Sequence, residues 1–71
     1  MIENDIQWYK DQLQEHTRLK EIYLHAMENV ARRDFPNYEI IDDIAQRITT
    51  VNNNIAFYEG RIKDLEANNE N

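Results

Sequence analysis

The chain contains no cysteine and no serine, and only one glycine and one proline among its 71 residues. Without cysteine it can form no disulfide and can offer no thiolate to a metal or to a substrate. A turn-rich β-sandwich or barrel is excluded as well, because such folds need a turn about every 8–12 residues. A glycine-rich phosphate-binding loop cannot be built from a single glycine.

Basic residues are also scarce, since eight lysine and arginine side chains stand against 14 aspartates and glutamates, a net charge of −6. This balance disfavours direct binding of nucleic acid or of an anionic membrane surface. No apolar run is long enough to span a bilayer, and no segment has the pattern of a secretion signal. We therefore expect a soluble, cytoplasmic protein that binds neither nucleic acid nor membrane directly.

One strong helix break lies in the middle of the chain. Pro36 has no backbone N–H to donate, and it disfavours the helical conformation at Phe35. Asp34 and Asn37 are both suitable N-cap residues for a following helix. The sequence predicts one domain over residues 1–71, with a helix over about 3–33, a turn at about 34–37, a helix over about 38–67 and a frayed C-terminal tail.

Apolar residues recur with alternating steps of three and four on both sides of this break, a heptad rhythm typical of coiled coils. We call these positions the seam. In the first half they are Ile2, Ile6, Tyr9, Leu13, His16, Lys20, Tyr23, Met27 and Val30. In the second half they are Ile41, Ile44, Ile48, Val51, Ile55, Tyr58, Ile62 and Leu65.

The two seams align if the chain reverses at Pro36, with Val30 opposite Ile41 and Leu13 opposite Tyr58. The pattern predicts an all-α fold, an antiparallel two-helix hairpin with coiled-coil-like packing. Two helices alone bury little apolar surface, so we expect the hairpin to dimerise into a four-helix bundle.

The same alignment makes predictions for charged residues. It places Lys10 near Glu59 and Asp5 near Arg61, as pairs on the flanks of the seam. Lys20 is a charged residue within the seam, where it favours a particular register and partner number at some cost in stability.

Several large apolar side chains lie outside the seam. Leu19 and Ile22 form a second strip on the first helix, and Trp8 lies two heptads before Ile22. Scattered surface apolars need no explanation, and that remains the simplest interpretation. The alternative is an interface, and for it we select Trp8, Leu19, Ile22 and Phe57 as partner-binding residues.

No constellation for chemistry emerges. His16 and His25 are nine residues apart, on opposite faces of one helix, and the pattern of a zinc or di-iron site is missing. We predict a non-enzymatic protein without metal or cofactor. Its expected function is that of a protein–protein interaction module, a self-associating hairpin that presents a helical surface to a protein partner. The alternative is a small acidic inhibitor of the phage or mobile-element type, in one version a DNA mimic, that blocks a nucleic-acid-processing enzyme.

Overall fold

A computed structural model shows two helices, α1 (Ile2–Ala31) and α2 (Tyr38–Asn69). It describes the backbone of residues 2–69 and the side chains of residues 5–68. The two helices pack against each other, so the predicted all-α helical hairpin is confirmed. Over the described residues, neither helix is long and apolar enough to cross a bilayer.

The turn between the helices is slightly longer than predicted. α1 ends at Ala31 rather than at residue 33, because Pro36 disfavours helical geometry in the residues before it. The Arg32 N–H still donates to the Glu28 carbonyl at 3.1 Å, but the Arg33 N–H donates to the nearer Val30 carbonyl at 3.3 Å. Such a tightened last turn is a common way for a helix to end.

Asn37, rather than Asp34, is the N-cap of α2. Its side-chain oxygen accepts hydrogen bonds from the N–H groups of Glu39 at 3.0 Å and Ile40 at 3.3 Å. These are two of the donors that the first turn of a helix leaves without a helical partner. At its other end α2 continues to Asn69, beyond the predicted end at residue 67, and no glycine or proline follows to stop it. Residues 70–71 of the predicted tail lie outside the described part of the chain.

The core of the hairpin is a single thin row of side chains. Only three described residues are buried, namely Val30, Ile44 and Val51, and none of them is fully enclosed. The molecule measures 57 × 14 × 13 Å and has a radius of gyration of 16.3 Å. A compact chain of this length would have a radius of gyration of about 11 Å. Each helix therefore has one covered side and leaves most of its circumference exposed.

Ring contacts report the register of the two helices. The Tyr58 ring lies 6.0 Å from the Tyr9 ring and 5.0 Å from the His16 ring, between centroids. Since Leu13 lies between Tyr9 and His16 on α1, Tyr58 sits at the level that the reversal at Pro36 predicts.

The predicted charge pairs are not formed. Lys10 Nζ lies 3.5 Å from Glu66 Oε1, one heptad further along α2 than Glu59. The Arg61 guanidinium lies over the Tyr9 ring, 5.7 Å from its centroid, in a cation–π contact that replaces the predicted pair with Asp5. The reason in both cases is the reach of a long flexible side chain, which the backbone register does not restrict to one partner.

Candidate interaction face

The two sides of the seam differ in burial. On one side lie the positions directly before every second seam residue, for example Leu19 before Lys20 and Asn54 before Ile55. Because the helices are antiparallel, these positions of α1 and α2 face each other. Outside the seam, the half-buried helical residues among those described are all on this side: Gln12, Leu19, Ala26 and Asn54. On the opposite side, the flanking residues Thr17, Leu24, Ala45 and Asn52 are exposed.

The more buried side also carries most of the large exposed apolar residues of the helices. Trp8 and Ile22 on α1, and Phe57 on α2, lie next to it on the helical circumference, with exposed fractions of 53%, 50% and 53%. We call the surface formed by Trp8, Leu19, Ile22, Ile40 and Phe57 the interaction face. The opposite flank carries Leu24, which is 42% exposed, and Tyr38, which lies one heptad before Ala45 and is 72% exposed.

An aromatic cluster occupies this face near the open end of the hairpin, which is the end farthest from the turn. Tyr58 is at its centre, with its ring centroid 6.2 Å from that of Trp8 and 5.6 Å from that of Phe57. Trp8 also meets Tyr9 edge to face at 5.0 Å. Aromatic rings favour edge-to-face and tilted arrangements, so the Tyr58 ring makes favourable contacts with both Trp8 and Phe57. The structure thus brings together two of the four selected residues from different helices.

The other two selected residues lie farther along the same face. Ile22 is 14 residues from Trp8, about 21 Å along α1, and it takes no part in the aromatic cluster. Leu19 is half-buried, because its position beside the seam places it between the two helices. It is therefore partly a residue of the hairpin's own packing, and the more accessible members of the face are Trp8, Ile22 and Phe57.

Two prominent apolar residues at the turn were missed by sequence reasoning. Phe35 is 92% exposed and Tyr38 is 72% exposed. Their signal in the sequence is their place on either side of Pro36, where neither helix can cover them. Ile40, 41% exposed in the first turn of α2, directly precedes the seam residue Ile41 and so belongs to the interaction face.

A shallow depression between α1 and α2 lies between the levels of the aromatic cluster and the turn. Tyr23, Asp43, Gln46, Arg47, Thr50 and Val51 line it. Arg47 Nε donates to Asp43 Oδ2 at 3.0 Å. This hydrogen bond, followed by one with Tyr23, raises the pKa of the Arg47 guanidinium above its ordinary value. The Arg47 and Asp43 side chains are 58% and 60% exposed, so this pair stays in contact with solvent.

The two histidines have separate surroundings. The Nδ1–H of His16 donates to the Gln12 carbonyl at 2.8 Å, and its ring packs on Tyr58, so His16 belongs to the seam. His25 is exposed on the far side of α1, where its Nδ1 lies 4.0 Å from a Glu28 oxygen. Among the described side chains, no three of the histidine, aspartate and glutamate type cluster as metal ligands would.

Lys20 is half-buried in the seam and forms no ion pair with any described side chain. Its aliphatic stem can lie along the apolar seam while the ammonium stays in water.

Comparison of the chain with family models, with curated proteins and with solved structures found no match.

Proposed function

We propose that this protein is a non-enzymatic interaction module, a helical hairpin that self-associates into a four-helix bundle and presents a helical surface to a protein partner. The observation that carries the proposal is the imbalance between a thin core and an exposed apolar surface whose larger part lies on one face. Three of the residues with described side chains are buried, whereas Trp8, Ile22, Ile40 and Phe57 are between 41% and 53% exposed on one face.

The exposed area of the hairpin supports this proposal. Its accessible surface is 5639 Å². A compact monomer of 8.6 kDa would expose about 4,700 Å². The excess is therefore roughly 900 Å², close to the 800 Å² or so that each partner buries in an interface of ordinary size. Aromatic and branched aliphatic side chains are also the residue types that anchor protein interfaces.

Light scattering coupled to size exclusion tests the self-association. The native chain is expected to elute with twice its chain mass of 8.6 kDa. The double variant Trp8→Gln, Ile22→Gln is expected to elute as a monomer, with helicity by circular dichroism retained because neither residue belongs to the seam. Leu24→Gln is the matched control, since Leu24 is equally a large exposed apolar residue but lies on the opposite flank.

A monomeric native chain, or a double variant that keeps the full dimer mass, contradicts the proposal. An acidic inhibitor of a nucleic-acid-processing enzyme would behave differently in a binding assay. It would compete with DNA for its target and lose affinity steeply with added salt, whereas an apolar interface would tolerate salt.

A further inference from the structure

We infer that the occupant of the interaction face is a second copy of this chain in antiparallel orientation, with the turn of each hairpin over the open end of the other. The inference rests on the proposed self-association and specifies its geometry. A two-fold axis would cross the hairpins near the level of Leu19, about halfway along the 57 Å length.

The distribution of charge along the hairpin favours this orientation. Residues 1–17 and 54–71 form the open half, with eight acidic and three basic side chains. Residues 18–53 form the turn half, with six acidic and five basic side chains. The open half thus carries a net charge of −5 and the turn half −1. A parallel dimer would bring two strongly acidic halves together, whereas an antiparallel dimer places each against a nearly neutral one.

Individual residues at the two ends add to this complementarity. Arg32 and Arg33 are exposed at the turn, and Asp5 and Asp64 are exposed at the open end. In an antiparallel dimer the two arginines of one copy lie near these carboxylates of the other. Such contacts at the rim of an interface contribute to its orientation more than to its affinity.

The apolar residues follow the same arrangement. By the seam alignment, Ile40 lies level with residue 31 of α1, and Phe57 lies level with residue 14. A two-fold axis near Leu19 brings level 31 close to level 8, so Ile40 approaches the partner's Trp8. It also brings level 14 close to the level of the partner's Ile22. Phe35, which is 92% exposed at the turn, then lies near the partner's open end.

Distances between spin labels on two copies test the orientation. The chain has no cysteine, so Asn53→Cys and Lys63→Cys each provide one labelling site on an exposed position of α2. Asn53 lies close to the level of the proposed axis, and Lys63 lies ten residues nearer the open end. In the antiparallel dimer the two Lys63 labels are offset along the axis by about 30 Å. The two Asn53 labels have almost no such offset.

Double electron–electron resonance is therefore expected to give a clearly longer distance for the Lys63 labels than for the Asn53 labels. Equal distances at both sites would show a parallel dimer and overturn the inference, while the proposed self-association would stand. A monomer mass in the accompanying light-scattering measurement would overturn the proposed function itself. Discrete higher masses that grow with concentration would show end-to-end chains instead, and would likewise overturn the two-fold arrangement.

Discussion

Replacement of Gly60 tests whether the surface of α2 around this residue is exposed or is covered by another helix. Gly60 lies inside α2, well before its end at Asn69, and its backbone does not have a positive φ. A β-carbon added at Gly60 would meet no atom within 4 Å. Alanine can therefore replace glycine here without strain, and it removes the entropic cost of fixing a glycine in a helix.

The expected gain for Gly60→Ala is about 1 kcal/mol in the free energy of unfolding, the difference in helix propensity between the two residues. No packing contribution is added, because the new methyl group touches nothing. For a domain of this size, 1 kcal/mol corresponds to a rise in Tm of about 4–8 °C. Thermal unfolding followed by circular dichroism measures the shift, with native chain and variant at the same concentration because an associating protein's Tm depends on it.

Ala56→Gly is the matched control. Ala56 is also an exposed position of α2, so this change is expected to lower the free energy of unfolding by about the same amount. Both variants should keep the mass of the native protein, because neither Gly60 nor Ala56 belongs to the interaction face and each change adds or removes only one methyl group. A lower Tm for Gly60→Ala, together with a loss of dimer mass, would refute the reasoning. It would show that another helix packs closely at Gly60, and that the interface is on a different side of α2.

Three further predictions concern the hairpin itself. Lys20→Leu should raise the free energy of unfolding, measured by urea titration, by about 1 kcal/mol, because a half-buried leucine contributes about half of the stabilisation of a fully buried one. A clear destabilisation would reveal a specific role for the ammonium. Asn37→Ala should cost about 1 kcal/mol through loss of the α2 cap, whereas Asp34→Ala should cost almost nothing; equal effects would contradict the capping assignment. Met27→Cys combined with Ile44→Cys should form a disulfide within one chain on oxidation at low concentration, as seen on a non-reducing gel, whereas crosslinks only between chains would indicate exchanged helices.

The overall fold could be predicted from the sequence because two independent signals agreed. The heptad spacing set the packed side of each helix, and Pro36 set the position of the reversal. Together they also placed Tyr58 at the level of Leu13, which the ring contacts with Tyr9 and His16 match. Backbone periodicity was enough for this level of detail.

Side-chain partners could not be predicted in the same way. Two carboxylates of α2 that lie one heptad apart, Glu59 and Glu66, are candidate partners for Lys10. It pairs with Glu66, and this choice depends on side-chain rotamers that no spacing rule predicts. The aromatic cluster was missed for a related reason. Trp8 and Phe57 lie outside the seam on separate helices, so the heptad pattern predicts no link between them, whereas the Tyr58 ring contacts both.

The burial of Leu19 shows a further limit. A heptad pattern identifies the seam, but not which flank of the seam is the more covered. Here the flank with Gln12, Leu19 and Asn54 is half-buried and the flank with Leu24 is not. That difference depends on the roll of each helix about its own axis, and it required three-dimensional coordinates.

The hairpin connection also dictates an order of folding. Every contact between α1 and α2 closes a loop through the same turn, and the loop lengthens steadily towards the open end. Tyr23 and Arg47 are 24 residues apart in sequence, whereas Trp8 and Tyr58 are 50 apart. This doubling of loop length adds about 0.6 kcal/mol of closure entropy. Contacts near the turn are therefore expected to form before the aromatic cluster, and amide hydrogen exchange is expected to be fastest in the outer turns of both helices. A partner that covers the cluster would slow exchange most at this end, where the protein's own contacts protect least.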